Sequence, residues 1–462
     1  MSTAPFARRW SPWCALLLLL AGAGPAPAAA PGSFPRALVA EPVPRARYAL
    51  LLHVAPGGDD LRGDGTAARP WATLPAAMER AGRPADGRRV ARLVAAGRYL
   101  QPTLALKPGV DLFGGFSADF AHRDLWVHVS TLASPEGSRI LLGADDARVD
   151  GFHLRGARVR GKGAALLCDG VSPVISHCVL ADNRTLAPAG WNPPLLHETA
   201  HDGGAVFCVN GAAPLLTGNI FHDNATECGR GGAFAADGRA APRLVGNVFT
   251  NNRAGLTDPM RSSDGGAVSF FGGARGELTG NAIVANEALT RNDAGGIFVA
   301  LWSAPVIRGN RVVANDAGDD AGGLFLGGQE HRYDAPLDPV PPAAEFTILV
   351  EGNWFVANAN TARNSGAMRV TMETRARLVE NVVAENAGGV YLQRSELELE
   401  RNVIWQDWRF VEDKASLGPS RLAGNVLRGP AGPVNARVTF AGNRAPAETP
   451  GGPHLPLPER FR

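Results

Sequence analysis

A pair of asparagines five residues apart returns six times along the chain: Asn219 and Asn224, Asn247 and Asn252, Asn281 and Asn286, Asn310 and Asn315, Asn353 and Asn358, Asn381 and Asn386. The first member recurs at intervals of 28, 34, 29, 43 and 28 residues, and again at Asn402, Asn425 and Asn443. A fixed phrase at unequal spacing describes a rigid unit joined by loops of variable length. Each unit opens on three small residues and a large apolar one, as in Gly203-Gly204-Ala205-Val206, Gly231-Gly232-Ala233-Phe234 and Ala294-Gly295-Gly296-Ile297. Small residues suit a corner where backbones approach closely, and the apolar residue begins a short strand. Three residues before each second Asn sits another apolar side chain: Phe221, Phe249, Ile283, Val312, Phe355 and Val383. Strands this short, with no room between them for crossover helices, stack coil on coil and bury columns of like side chains. The expected fold is therefore all-β, a solenoid over residues 104–443 with Val206, Phe234, Val268, Ile297 and Leu324 stacked inside. At its corners the asparagines are expected to take left-handed backbone and to hydrogen-bond the next coil.

These residues resemble the pectate-lyase-like right-handed parallel β-helix proteins. The pairing of Gly-Gly-Ala-Val or Gly-Gly-Ala-Phe with Phe221 to Asn224 and Phe249 to Asn252 is similar, more narrowly, to the repeats of bacterial polymorphic outer membrane proteins. The resemblance covers roughly residues 90–443 and implies a right-handed parallel β-helix. It is specific for fold rather than activity, because lyases, hydrolases, adhesins and phage tailspikes share this architecture. No segment after the repeats is long enough for a membrane β-barrel, which sets the chain apart from the outer membrane family.

Ahead of the repeats, residues 1–30 carry Arg8 and Arg9, an apolar run from Ala15 to Ala21, and small residues at Ala26, Ala28 and Ala30. That pattern is a signal peptide, and its apolar run is too short for a membrane span. The expected location is secreted, periplasmic or cell surface. Residues 31–47, rich in Pro and Arg, read as a linker. Residues 48–103 should form an N-terminal cap: a strand from Leu50 to Ala55, a turn from Gly57 to Gly65, and an amphipathic helix from Pro70 to Ala81 carrying Trp71, Leu74 and Met78. A solenoid needs such a cover, since a bare end exposes apolar columns and strand edges. Residues 444–462 read as a Pro-rich tail. Near the end of the repeats, Ser395 to Glu400 alternates apolar and acidic residues, a half-buried strand with its glutamates in water.

Once Cys14 leaves with the signal peptide, Cys168, Cys178, Cys208 and Cys228 remain. Cys168 and Cys208 precede matching prolines and should lie on adjacent coils, about 4.8 Å apart by strand spacing. Either a disulfide or a stacked pair of buried thiols satisfies that placement. With 46 basic against 44 acidic residues the formal charge is +2, which leaves no electrostatic footprint for nucleic acid.

Candidate chemistry comes from aligning the residues just before each small triplet: Asp202, Arg230, Asp264, Asp293, Asp320, Asn364 and Asn386. They form one column. The loops entering it at 184–201 and 253–263 are long while those after Asn315 and Asn358 are short, and long loops flanking a shallow stretch should make a cleft lined by the column. Trp191, His197 and His201 on the first loop suit sugar rings, and with Asp202, Arg230 and Asp264 they make the candidate ligand site. Arg230 is expected to neutralise Asp202 and Asp264 from between them. Asp293 and Asp320 have no basic residue in the column; they either turn outward, share a proton or hold a divalent cation, and calcium is the fitting metal. The plainer alternative is that each Asp caps its glycine corner.

The catalytic signatures Asn-Thr-Asp, Gly-His-Gly and Arg-Ile-Lys are absent from the sequence, and lysine occurs only at 107, 162 and 414. The expected function is an exported scaffold that binds an extracellular or cell-surface ligand, a glycan by preference. The alternative is a calcium-assisted lyase or hydrolase of acidic polysaccharides.

Overall fold

The computed structural model describes residues 38–80, 87–190, 201–257, 263–328, 341–363, 365–411, 418–428 and 438–445. The segment read as a signal peptide, the first part of the linker, the bulk of the tail, and Trp191 and His197 lie outside them. Among the described residues the chain is a parallel β-solenoid built from four sheets of fourteen, twelve, eleven and seven strands, every inter-strand ladder being parallel.

One coil shows the plan. Val206–Val209 lies in the eleven-strand sheet, Leu215–Thr217 in the fourteen-strand sheet, Ile220–His222 in the twelve-strand sheet and Ala225–Thr226 in the seven-strand sheet. The next coil repeats these stations at Phe234–Ala236, Arg243–Val245, Val248–Thr250 and Arg253–Ala254. Val206, Phe234, Val268, Ile297 and Leu324 sit opposite one another in successive strands and are fully buried, as the repeat requires. The column from Leu180 through Phe221, Phe249, Ile283, Val312 and Phe355 to Val383 fills the core from the twelve-strand side.

The asparagines form two unbroken ladders. In the first, each Oδ1 accepts both the backbone N–H and the Nδ2–H of the residue one coil earlier, from Asn219 onto Asn247 and onward through Asn281, Asn310, Asn353, Asn381, Asn402 and Asn425 to Asn443. Cys178 heads it, its N–H donating to Asn219 Oδ1 at 2.9 Å. The second runs from Asn183 through Asn224, Asn252, Asn286, Asn315 and Asn358 to Asn386, and ends on Gln406. The second Nδ2 hydrogen reaches a carbonyl of the preceding coil, as from Asn281 to Leu244 at 2.9 Å. A buried amide is stable only when its donors and acceptor are met, and here each coil meets those of its neighbour.

The structure corrects one expectation about these corners. The left-handed residue is the one before each ladder position: His177 before Cys178, and before the asparagines Asp182, Asp223, Asn251, Ala285, Ala314, Ala357, Glu380 and Glu385, with Gly218, Gly246, Gly280, Gly309 and Gly352 at other corners. The chain must bend ahead of the amide so that the side chain can turn along the solenoid axis. Alanine in that conformation is strained by about 1–2 kcal/mol. Ala314→Gly, at φ 54°, is therefore expected to raise stability by about 0.5–1 kcal/mol, part of the relief being offset by the freer unfolded chain. Urea denaturation of the variant against wild type checks this.

At the N-terminal end, Tyr48–Val54 pairs with Arg89–Ala95, and both head the fourteen-strand sheet. The helix is shorter than the periodicity implies, spanning Leu74–Arg80. Trp71 is held before it by a bridge to Val54 and an indole hydrogen bond to the Gly63 carbonyl, while Asp60 fixes the backbone at Ala72 and Thr73. Leu74, Ala77 and Met78 bury their side chains in the main core. Ser395–Glu400 alternates as expected, and its outward Glu396 and Glu398 pair with Arg375 and Arg377 of the preceding coil. Cys168 and Cys208 are register partners and are buried thiols with no disulfide between them, so the thiol alternative is the one observed. Burial, together with the neighbouring Cys168, holds the Cys208 thiol well above its ordinary pKa.

Candidate functional site

The column of charged residues exists and winds coil on coil. Gly203 N–H donates to the Arg230 carbonyl, Gly231 to Asp264, Gly265 to Asp293 and Ala294 to Asp320, at 2.8 to 2.9 Å. Corner packing explains why small residues must follow: a Cβ on Gly232 would lie 2.2 Å from the Gly266 carbonyl oxygen and 2.5 Å from that of Arg253. The side chains add their own ladder. Asp202 Oδ1 accepts the Arg230 N–H at 2.8 Å, Asp264 Oδ1 the Asp293 N–H at 2.8 Å, and Asp293 Oδ1 the Asp320 N–H at 2.9 Å. Each carboxylate thus caps the corner of the next coil rather than its own.

Both ends of the column carry a cation that the alignment of triplets did not supply. Lys162 Nζ lies 3.0 Å from Asp202 Oδ2 and 4.7 Å from the centre of the Phe207 ring. Its signal was present, since Lys162-Gly163-Ala164-Ala165-Leu166 repeats the phrase one coil earlier. Arg369 Nη1 donates to Asp320 Oδ1 at 3.0 Å and stacks on Tyr391, while Ser365 Oγ donates to the same oxygen at 3.3 Å. Asp320 therefore does have a basic partner, contrary to expectation. That partner comes from a strand face rather than from the column, and the repeat does not mark it. Arg230, on the coil between Asp202 and Asp264, lays its guanidinium over Phe271 at 3.6 Å, a cation–π contact. Of the loop candidates, His201 is described, its carbonyl accepting from Thr185 Oγ1 at 2.7 Å; Trp191 and His197 are outside the described residues.

Three carboxyls in this region are displaced upward: Asp237, Asp293, and Asp320, which burial raises against the pull of Arg369. Burial raises Asp237, and repulsion from Asp202 adds to it, with Lys162 and Arg230 pulling the other way. The repeat gave no sign of Asp237. Burial, then Asp264 and Asp320 on the flanking coils, push Asp293 well above the usual carboxyl range. Such a group stabilises the fold only while it keeps its proton: the contribution is complete below the unfolded value of 3.8 and is lost as pH rises through the higher folded value. Asp293→Asn keeps the acceptor for Asp320 N–H and removes the ionisation. The thermal midpoint of wild type is accordingly expected to fall relative to Asp293→Asn as pH rises above the unfolded value of 3.8. Parallel curves above that value would refute it.

Among the described residues no group of three or more His, Cys, Asp or Glu side chains is placed to hold a metal ion. Nor does any described helix have the length and apolarity to cross a membrane. The fold and the column define a polar-laddered parallel β-solenoid. Compared with family models, with curated proteins and with solved structures, the chain matches none.

Proposed function

We propose that this protein is an exported right-handed β-helix, closed at its N-terminal end by the Leu74–Arg80 helix, that binds a glycan or another ligand at a cell surface. The observation that carries this reading is the engagement of the charged column: Asp202, Asp264 and Asp293 each hold the backbone of the following coil, which suits a structural ladder better than a base waiting for substrate. The signal-peptide pattern and the resemblance of the repeats to secreted and surface β-helices support export. The partly exposed Tyr391 ring beside Arg369 is suited to a sugar face and its hydroxyls.

A second reading, a lyase or hydrolase of acidic polysaccharides, is favoured by the Asp237 carboxyl, which stands within the influence of Asp202, Lys162 and Arg230 and is poised to exchange a proton. In that reading calcium lies between Asp293 and Asp320. Incubation of the purified chain with pectate, alginate and hyaluronate, followed by ultraviolet absorbance and reducing ends, separates the two. The scaffold reading expects binding without turnover, and release of unsaturated or reducing sugar would overturn it. Calorimetry with calcium on wild type and on Asp293→Asn with Asp320→Asn is expected to give equal heats, and for each protein the same midpoint with and without calcium. A calcium-dependent midpoint confined to wild type would favour the enzyme.

A further inference from the structure

The outward position of the seven-strand sheet reads Arg158, Arg184, Ala225, Arg253 and Glu287 in successive coils. Alanine interrupts a row of arginines. The side chain missing at Ala225 leaves a cavity of about 180 Å³ with Arg184 on one flank and Arg253 on the other. Two strand spacings separate those residues, roughly 9–10 Å along the solenoid axis. The remaining wall is polar, with Asp182, Asp223 and the Asn251 amide on successive coils.

Hydrogen bonding sorts the groups in this notch into occupied and available. Arg158 is committed to Asp182, at 2.7 Å. Asp223 accepts from His222 and Asn251; burial works against its ionisation, but these bonds outweigh it and hold the carboxyl below its usual range. Arg184 and Arg253 are different. Their nearest acidic partners are Glu227 at 3.6 Å and Glu287 at 3.7 Å, and neither guanidinium donates a direct hydrogen bond to a described residue. Two half-exposed guanidiniums, one on each flank of the notch and each held to its glutamate only at ion-pair distance, keep donors that can engage a planar or tetrahedral anion.

Position along the chain points the same way. Arg184 and Arg253 open the two long connections, 184–201 and 253–263, while the coil between them passes from Thr226 to Arg230 in a short turn. The notch therefore lies where the chain enters these two connections. Its volume is below the roughly 300–1,000 Å³ of pockets for larger ligands, and it matches one ring or its charged substituent.

We propose that the notch over Ala225 binds the anionic group, a carboxylate or a sulfate ester, of a single acidic sugar ring, clamped between Arg184 and Arg253. The proposal rests on the glycan-binding reading and places its charged subsite away from the Asp column. Glu227 and Glu287 compete for the same guanidiniums, so binding is weak per site, salt-sensitive and strengthened by chain length.

The test is calorimetry of the full mature chain with trigalacturonate, its methyl ester, a sulfated galactan trisaccharide and sodium acetate, on wild type, Ala225→Glu and Arg184→Ala with Arg253→Ala. Trigalacturonate or the sulfated trisaccharide should bind wild type at least tenfold more tightly than the ester, whichever binds better identifying the anion. Both variants should lose at least tenfold while keeping the wild-type circular dichroism and thermal midpoint. Equal binding of ester and acid, undiminished binding by Ala225→Glu, or equal competition by acetate would each overturn the proposal. Wild type that binds neutral glycans and ignores every charged one sinks the notch yet leaves glycan binding standing. Failure to bind any sugar removes both.

Discussion

Asn281→Ala is expected to weaken the fold by about 4 kcal/mol, an unusually large effect for a residue that touches no ligand. Four hydrogen bonds vanish with the side chain: the two that Asn247 donates to Oδ1, and the two that Nδ2 donates to Leu244 O and to Asn310 Oδ1. The backbone N–H of residue 281 keeps its bond to Asn310. At roughly 1 kcal/mol for each net bond the loss reaches about 4, and it falls on donors that water cannot reach, since Asn247 and Asn310 are fully buried. In a solenoid, stability is carried by neighbouring coils, so the damage should be local. Hydrogen exchange is the measurement of choice: protection should drop at Asn247, Asn281 and Asn310 and remain at Asn402 and beyond. Arg243→Ala serves as a control, because its exposed pair with Glu277 contributes at most about 1 kcal/mol. If Asn281→Ala behaves like that control, the ladder is decoration.

How much of this was legible beforehand depends on whether a residue is repeated or merely met. The two ladders and the core columns announce themselves, because a buried amide needs the same partner in every coil and the chain must therefore spell it in every coil. Left-handed backbone at Ala285, Ala314 and Ala357 was not legible. Local preference assigns that conformation to Gly or Asn, and here the tertiary demand of the amide ladder overrides it. The helix start was also misplaced, since Trp71 fits a helical stripe but is claimed by Val54 and Gly63.

The site divides in the same way. Asp202, Arg230, Asp264, Asp293 and Asp320 were visible as a column because the triplet after them is periodic. What their carboxylates hold was not visible, as a cap on its own corner and a cap on the next coil look alike in one dimension. Arg369 and Asp237 escaped because each meets the column from a neighbouring strand or turn with no periodic signature. The notch escaped for the opposite reason. Its signal is the absence of a side chain at Ala225 within a row of arginines, and an alanine draws attention only once the register is known.

Phe249→Ala should rival the asparagine substitution, at about 3–5 kcal/mol, through a different physical route. Phe249 is fully buried in the inner column, stacked on Phe221 with ring centres 4.6 Å apart and planes inclined by 12°, and it meets Ile283 on the next coil. Truncation removes the transfer energy of the ring and leaves a cavity whose walls are pinned. Asn252, three residues on, is locked to Asn224 and Asn286, so the coil cannot slide inward to fill the space. Phe249→Leu separates the two contributions, since it restores most of the volume without the stack. Its expected loss is under about 1.5 kcal/mol. Phe221→Ala combined with Phe249→Ala should fall short of the sum of the single losses, because the second truncation enlarges an existing hole and the stack can be lost only once. Strict additivity in urea denaturation would mean that the rings do not support each other and that the column is a row of independent pegs.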